Sequence, residues 1–350
     1  MTTHVTPAHV PAADRYDRMP HRRAGRSGLQ LPTISLGMWH NFGDDTPITR
    51  QREILHRAFD LGITHFDLAN GYGPPFGSAE KNVGRILAED FAGLRHELIV
   101  STKAGYPFFQ GPHGSGGGRG HLLTSLDHSL TSLRLDHVDI FYSHRYDPDV
   151  PLEETAAALD AAVRSGKARY AGISSYSAQR TREIAAILHR LGTPLVLHQP
   201  SYSLLNRWVE QGEPSLLDVL GDEGIGAIAF SALAQGLLTG KYLHGVPEGS
   251  RATQGKTLRE GMLGEENLAR IKALHEIARR RGQTLAQMAL AWVLRDPRIT
   301  SVLVGASRPE QLDDSVGAPA APPFTDDELT EIEQYAQDGG LNIWAASSDA

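Results

Sequence analysis

The sequence predicts an α/β fold: a (β/α)8 TIM barrel with long loops over the face where its strands end. Three observations carry that expectation. One grammar recurs along the chain, a helical apolar stripe, then a glycine, a short apolar run and a polar residue. That is the pattern of repeated βα units around a parallel sheet. Counting from Gly37, about eight such runs occur, the last at 301–304. Six runs deliver a polar side chain: Asp67, Lys103, His144, Ser174, Gln199 and Ser231. Barrel active sites are built at that end of the strands. A doubly wound sheet would also gather ligands there, but its glycine fingerprint is missing. In the cluster 114–120, Arg119 or His121 falls where GxGxxG needs its third glycine.

In order, residues 1–24 read as an N-terminal arm, 25–339 as a single barrel domain and 340–350 as a C-terminal tail. Leu31, Ile34, Leu36 and Met38 suggest a first strand over 31–39, ending at Trp39. Ile54, Leu55, Ala58, Phe59 and Leu61 fall at helical spacing, and Gly62 stands where a helix-ending glycine belongs. A strand to Asp67 follows, and the run 98–102 then delivers Lys103. The glycine cluster reads as a flexible loop before a helix over 122–133, and the run 138–143 delivers His144. Helical stripes closed by Gly166, Gly192 and Gly224 precede strands at 168–173, 195–199 and 225–230. Insertions at 104–120 and 232–263 overhang the strand ends, where long loops are usually functional. Helices over about 265–281 and 284–295 precede the last strand. Ser307-Arg308-Pro309-Glu310 then reads as a capping box, and a helix over about 325–337 follows.

Composition narrows the function. The 350 residues are 40% hydrophobic with a formal net charge of -7, so the core is ample and no basic face invites nucleic acid. The absence of cysteine excludes disulfides, thiolate metal sites and cysteine nucleophiles, and fits a reducing cytoplasm. Residues 1–20 hold no apolar stretch for a signal peptide, and no run approaches the roughly 18 apolar residues of a membrane helix. The histidines His56, His96, His128 and His189 read as surface residues, and no metal-ligand spacing emerges from them.

The chemistry starts at Ile63-Thr64-His65-Phe66-Asp67-Leu68-Ala69-Asn70-Gly71-Tyr72-Gly73. A buried strand gains nothing from ending on an acid, so Asp67 needs a partner. Tyr72, between glycines, is placed for presentation more than for packing. On neighbouring parallel strands, Asp67, Tyr72, Lys103 and His144 converge as acid, phenol, ammonium and imidazole. That is a proton-transfer site. Taken alone, Asp67 could be a turn former, His144 a satisfied strand-end histidine, and Lys241 and Arg251 solvated loop charges.

Together these residues resemble the aldo-keto reductase superfamily over nearly the whole chain, with Asp67, Tyr72, Lys103 and His144 at its four catalytic positions. Gly172-Ile173-Ser174-Ser175-Tyr176, His198-Gln199-Pro200-Ser201-Tyr202, the run from Phe230-Ser231-Ala232-Leu233 to Lys241-Tyr242 and Gly305-Ala306-Ser307-Arg308-Pro309-Glu310-Gln311 are similar to its cofactor segments. Within the superfamily the chain is most similar to the branch shared by potassium-channel β subunits and bacterial glyceraldehyde-phosphate reductases. Trp39-His40-Asn41-Phe42-Gly43, Tyr142-Ser143-His144-Arg145 and Leu341-Asn342-Ile343-Trp344-Ala345-Ala346-Ser347-Ser348-Asp349 resemble the bacterial reductases.

The resemblance implies an NADPH-dependent reductase of small aldehydes, cytoplasmic and homo-oligomeric, needing no metal. Tyr72 is then the proton donor. A phenol titrates near about 10, and the Lys103 ammonium, held by Asp67, is expected to lower that value. His144 bonds the substrate oxygen, with Trp39 and Tyr72 beside the substrate. For the cofactor it implies Trp39 and Asp67 beside the ring, Ser174 and Gln199 on the carboxamide, and Tyr202 stacked on the nicotinamide. Phe230, Ser231, Leu233, Gly236 and Lys241 follow along the pyrophosphate, and Arg251, Gly305, Ser307, Gln311, Asp314 and Ser315 lie around the adenosine 2′-phosphate and adenine. Ser315 stands where relatives often have asparagine, and Asp314 where they have a longer glutamate. Two rival readings remain at this point: a redox-sensing subunit that binds NADPH without turnover, and a Schiff-base lyase using Lys103.

Overall fold

The computed structural model describes residues 9–243, 260–345 and 348. Two short strands, β1 (His21–Arg23) and β2 (Gln30–Pro32), pair antiparallel. Eight parallel strands follow: β3 (Ile34–Gly37), β4 (His65–Asp67), β5 (Ile99–Ala104), β6 (Val138–Ser143), β7 (Ala168–Ser174), β8 (Leu195–Gln199), β9 (Gly226–Ala229) and β10 (Ile299–Val304). They close into a barrel in the order β10-β3-β4-β5-β6-β7-β8-β9. The expected fold class is therefore the observed one.

The helices around it are α1 (Ile48–Asp60), α2 (Ser78–Asp90), α3 (Arg119–Leu133), α4 (Leu152–Arg164), α5 (Ala178–Leu191), α6 (Leu216–Glu223), α7 (Glu265–Arg280), α8 (Leu285–Leu294), α9 (Glu310–Ser315) and α10 (Asp326–Glu333). Their glycine stops behave as the sequence implied: Gly192 and Gly224 close α5 and α6 in the left-handed region, at φ +82° and +69°. No helix among the described residues is long and apolar enough to cross a membrane.

Several expectations change. The first barrel strand does not begin at Leu31. Leu31 belongs to β2, which ends at Pro32, a residue with no N–H to carry a ladder on, and only Thr33 lies between it and β3. The hairpin also runs across residue 24, where arm was expected to give way to barrel. Ala24, Leu29 and Leu31 pack under the barrel against Ile140, Tyr142, Leu197 and Ile228. Arg22 Nη1 donates to Leu294 O and Ile299 O, both at 2.8 Å, and Arg26 N to Gly224 O at 2.9 Å. These acceptors precede or begin β9 and β10, so the hairpin plugs the end opposite the strand-end polar residues.

Helix α2 was not anticipated, although Ala79, Val83, Ile86 and Leu87 line its buried face. The glycine cluster is a built turn, not a slack loop. Gly117 N donates to Asp147 Oδ2 at 2.7 Å and Gly116 N to Gly105 O at 3.0 Å. At Gly116, φ is +95° and a Cβ would lie 2.4 Å from Asp147 Oδ2, so only glycine suits the position. Helix α3 consequently starts at Arg119. The capping box expected at Ser307 does not form: the amide of Ser307 is held by Gln311 Oε1 at 2.7 Å, and α9 begins three residues later. His56 and His128 are half-buried, His56 Nε2 lying 2.7 Å from the buried Asp90 Oδ2, whereas His96 and His189 are exposed.

Candidate active site

Parallel register brings the strand-end side chains together. Asp67 is level with Ser101 on β5, and Lys103 with Tyr142 on β6. Asp67 Oδ2 receives Lys103 Nζ at 2.5 Å, and Nζ also donates to Leu68 O at 2.6 Å. The Tyr72 hydroxyl lies 3.4 Å from the same nitrogen. Its ring is delivered by the turn after β4, where Tyr72 N bonds Ala69 O at 3.0 Å and Gly73 takes φ +89°. Asp67 Oδ1 accepts from Ser101 Oγ at 2.6 Å and from Gln199 Nε2 at 3.1 Å. The His144 ring stands edge-on to Tyr72 at 5.9 Å between centroids and to Tyr106 at 4.7 Å. Trp39, stacked on His40, closes the other side 6.0 Å from Tyr72. The four residues read from the sequence as a proton-transfer site do converge.

The electrostatics follow burial. Lys103 is fully buried, and that desolvation lowers its pKa, with the Asp67 carboxylate acting against the fall. Tyr72 departs from expectation. Burial above all, then the charges of Asp67 and Tyr106, push its phenol well above the ordinary value instead of letting Lys103 lower it. The phenol therefore keeps its proton near neutrality. His144 is held well below its ordinary value, first by burial and then by the Lys103 and Arg145 cations, so its imidazole is neutral and carries one N–H.

A cavity of about 1050 Å³ runs from these groups across the strand ends. Trp39, Asp67, Ser174, Gln199, Phe230 and Ser231 line it at the barrel mouth. Leu233, Gly236, Lys241, Gly305, Ser307 and Gln311 line its extension. Three residues read as cofactor contacts do not line it. Tyr202 is buried behind the wall, where Arg295 Nη1 donates to its hydroxyl at 3.0 Å and its ring packs 5.4 Å from Trp292. The chain bends after Pro200 so that Ser201 bridges Phe230, and Phe230, not Tyr202, offers a ring to the cavity. Asp314 accepts from Thr284 Oγ1 at 3.1 Å, and Ser315 Oγ donates back to Gln311 O at 2.8 Å, which turns both toward the helices. Arg251 lies outside the described residues.

Four residues with no individual role assigned from the sequence also lie here, two of them, Gln235 and Trp344, within segments that carry the resemblance. Ser101 clamps Asp67, and its signal was its place two residues before Lys103 on one strand face. Tyr106, from the 104–120 insertion, walls His144. Trp344 brings the C-terminal segment to the cavity, 4.7 Å from Phe230. Gln235 lines the cavity while 8% exposed, and neither its amide nitrogen nor its amide oxygen has a hydrogen-bond partner among the described residues. Around it Ser231, Ala234, Gln235 and Gly236 all take positive φ. Such a strained run beside an unpaired buried amide suits a polar ligand lying along the loop.

The chain is similar to known proteins over nearly its whole length. The model of the Aldo/keto reductase family matches residues 33–337. An L-glyceraldehyde 3-phosphate reductase from Escherichia coli O157:H7 is 58% identical over 96% of this chain and 98% of its own length. A Schizosaccharomyces pombe protein, named as a candidate voltage-gated potassium channel subunit beta, is 36% identical over 91% of this chain and 90% of its own. Among solved structures, the holo form of aldo-keto reductase AKR11C1 from Bacillus halodurans superposes with a TM-score of 0.73 at 27% identity, covering 91% of this chain and 96% of that one.

Proposed function

The chain belongs to the aldo/keto reductase family, and from that premise we propose that it reduces small aldehydes with NADPH, glyceraldehyde 3-phosphate foremost. It is an oxidoreductase. The observation that carries the finer reading is the line from Asp67 through Lys103 Nζ to the Tyr72 hydroxyl, opening beside a neutral His144.

When bound, the reduced nicotinamide supplies the hydride that goes to the carbonyl carbon. The protein's own groups manage the oxygen. His144 donates its N–H to the substrate oxygen and holds the carbonyl in place. Tyr72, protonated at neutral pH, gives that oxygen its proton as negative charge grows on it. Lys103, charged beside Asp67, stabilises the phenolate left behind. General acid help of this kind is typically worth about 10²–10⁴ in rate.

The donor set fits the cofactor. Ser174 and Gln199 offer polar groups to a carboxamide, Phe230 a ring face, and Gln235 an unpaired amide on the loop that ends at Lys241. Ser307, Gln311 and, from the sequence, Arg251 would face the 2′-phosphate and adenine. The Schiff-base reading loses its support, because a nucleophilic lysine must be neutral and accessible, and Lys103 is buried and ion-paired. A homo-oligomeric, cytoplasmic enzyme belongs to the same reading; sedimentation of the protein and fractionation of cells would check both.

One experiment tests the function: a panel of aldehydes assayed with NADPH and with NADH, for the wild type and for Tyr72→Phe. We expect kcat/KM to favour NADPH and small polar or phosphorylated aldehydes. The phenylalanine variant should lose at least about 100-fold in single-turnover rate while binding NADPH as before. A panel won by bulky apolar carbonyls would overturn the substrate class. A Tyr72→Phe enzyme with normal chemistry would remove the phenol from its role. Bound nicotinamide that no aldehyde oxidises would favour the sensor.

A further inference from the structure

His65 lies two residues before Asp67 on β4, so both side chains point into the barrel. Its imidazole is fully buried, with Nδ1 at 2.9 Å from Ser35 Oγ and Nε2 at 2.9 Å from Ser101 Oγ. Ser35 Oγ lies 2.6 Å from Ser301 Oγ. Barrel interiors are usually filled by bulky branched apolar residues. Here polar side chains from β10, β3, β4 and β5, four neighbouring strands, meet below Asp67.

Proton counting gives each bond a direction. The Asp67 carboxylate can only accept, so Ser101 gives its single hydroxyl proton to Asp67 Oδ1. Ser101 must then accept from His65, which places the imidazole hydrogen on Nε2. A neutral imidazole has one N–H, so Nδ1 accepts from Ser35, and Ser35 accepts from Ser301. The hydrogen bonds from Ser301 to Asp67 therefore all run one way and end on the carboxylate that holds Lys103. Chains of this kind polarise each other. The imidazole is neutral at physiological pH, its pKa pushed down to about 4, mainly by burial, with Asp67 acting in the opposite sense.

We propose that His65 is a positioning residue for proton transfer: its Nε2–H keeps the Ser101 hydroxyl aimed at Asp67, and so sets Asp67 against Lys103. The inference rests on the reading of Asp67, Lys103 and Tyr72 as the proton-transfer site. Lys103 Nζ is already 3.4 Å from the Tyr72 oxygen, so a small rotation of the carboxylate moves the ammonium out of reach. The rival account is that two serines, Ser35 and Ser101, simply satisfy a buried histidine. It predicts a stability cost without a defect in chemistry.

The test is a kinetic cycle with NADPH and the best aldehyde. His65→Leu should lower kcat about tenfold or more, the equivalent of about 1.4 kcal/mol, with KM and NADPH affinity changed less than about twofold. His65→Gln, whose amide N–H reaches close to the imidazole Nε2 position, should recover most of the rate. Placed on Ser101→Ala, His65→Leu should cost little more, because the link is already cut. Full additivity, a glutamine variant as slow as leucine, or a normal kcat in His65→Leu would each overturn the proposal. A second measurement needs neither turnover nor a variant. Nitrogen-15 spectra of the wild type at neutral pH should show His65 as the neutral Nε2–H tautomer; the Nδ1–H form or an imidazolium would sink the relay. A wild type that reduces no aldehyde would end the functional reading and still leave the tautomer to be read.

Discussion

The phenol of Tyr72, the proton donor of the proposed reaction, sits in surroundings that hold its proton on. Burial and the nearby Asp67 charge favour its neutral form, while the Lys103 ammonium stands 3.4 Å from its oxygen. The ammonium in turn depends on Asp67, since desolvation pulls the Lys103 pKa down and the carboxylate raises it. Asp67→Asn should therefore let Lys103 lose its proton at lower pH. If the charged ammonium is the active form, the alkaline limb of kcat/KM moves toward neutrality, and the rate at pH 7 falls by about 100-fold or more. A variant whose pH profile keeps the wild-type limb would uncouple Lys103 from the acid step. Asp67, Lys103 and His144 were legible because each stands where an apolar run stops, and a barrel puts such stops on one face; Tyr72 was legible from its place between two glycines in the turn after β4. Tyr202 was assigned through the resemblance alone; beyond β8 the chain turns its ring behind the wall, and Phe230 takes the place at the cavity. His65 and Ser101 were readable in principle, each two positions before a residue already singled out. Which way their hydroxyl and ring protons face needed the contacts.

At the scale of elements, α2 is bound to the barrel through a group that should not be charged there. Glu80 is fully buried and accepts from the Thr102 hydroxyl of β5 at 2.5 Å, with Ser129 of α3 also facing its carboxyl group. Burial raises its pKa from 4.5 to about 7, against the opposing hydrogen bonds and Lys103. The sign follows directly. Between those values the folded protein holds a proton that the unfolded chain has released, so this group's contribution is fully present below pH 4.5 and is lost as pH rises through about 7. The span is worth on the order of 3 kcal/mol. Glu80→Gln, which cannot ionise, should gain stability relative to the wild type as pH rises from 5 to 8, by denaturant unfolding at each pH. A constant difference across that range would mean that Glu80 stays charged in the fold. Helix α2 follows directly on the turn that presents Tyr72, with no glycine-closed strand between them to mark it. Its stripe of Ala79, Val83, Ile86 and Leu87 was as plain as the others.

Over the whole molecule, chemistry and closure lie at opposite ends of the same strands. The top carries the strand-end polar groups and the insertion around Tyr106. The bottom carries the β1–β2 hairpin, stitched to β9 and β10 by Arg22 and Arg26. Such a division lets loops change function without disturbing the strands below. The sequence showed the barrel through its repeats but could not show the plug. A hairpin has no periodic partner, and Pro32 lies inside what read as one apolar strand. Leu31 is where the division can be tested. It is fully buried among Ile140, Tyr142, Leu197 and Ile228, and no atom of it reaches the cavity. Leu31→Ala leaves a void in a closed space, where leucine truncations cost about 2–5 kcal/mol. Turnover per folded molecule, measured well below the melting temperature, should stay within about twofold, because the Asp67–Lys103 pair is supported from the side by Ser101 and Gln199 and not through the plug. Tyr142 offers a route by which the ends could communicate: it packs in the cluster with the plug below, and its ring lies 5.8 Å from Lys103 Nζ above. A Leu31→Ala enzyme that keeps its stability and loses turnover would show that Tyr142 transmits the change. The bottom of the barrel would then belong to the catalytic apparatus as well as to the scaffold.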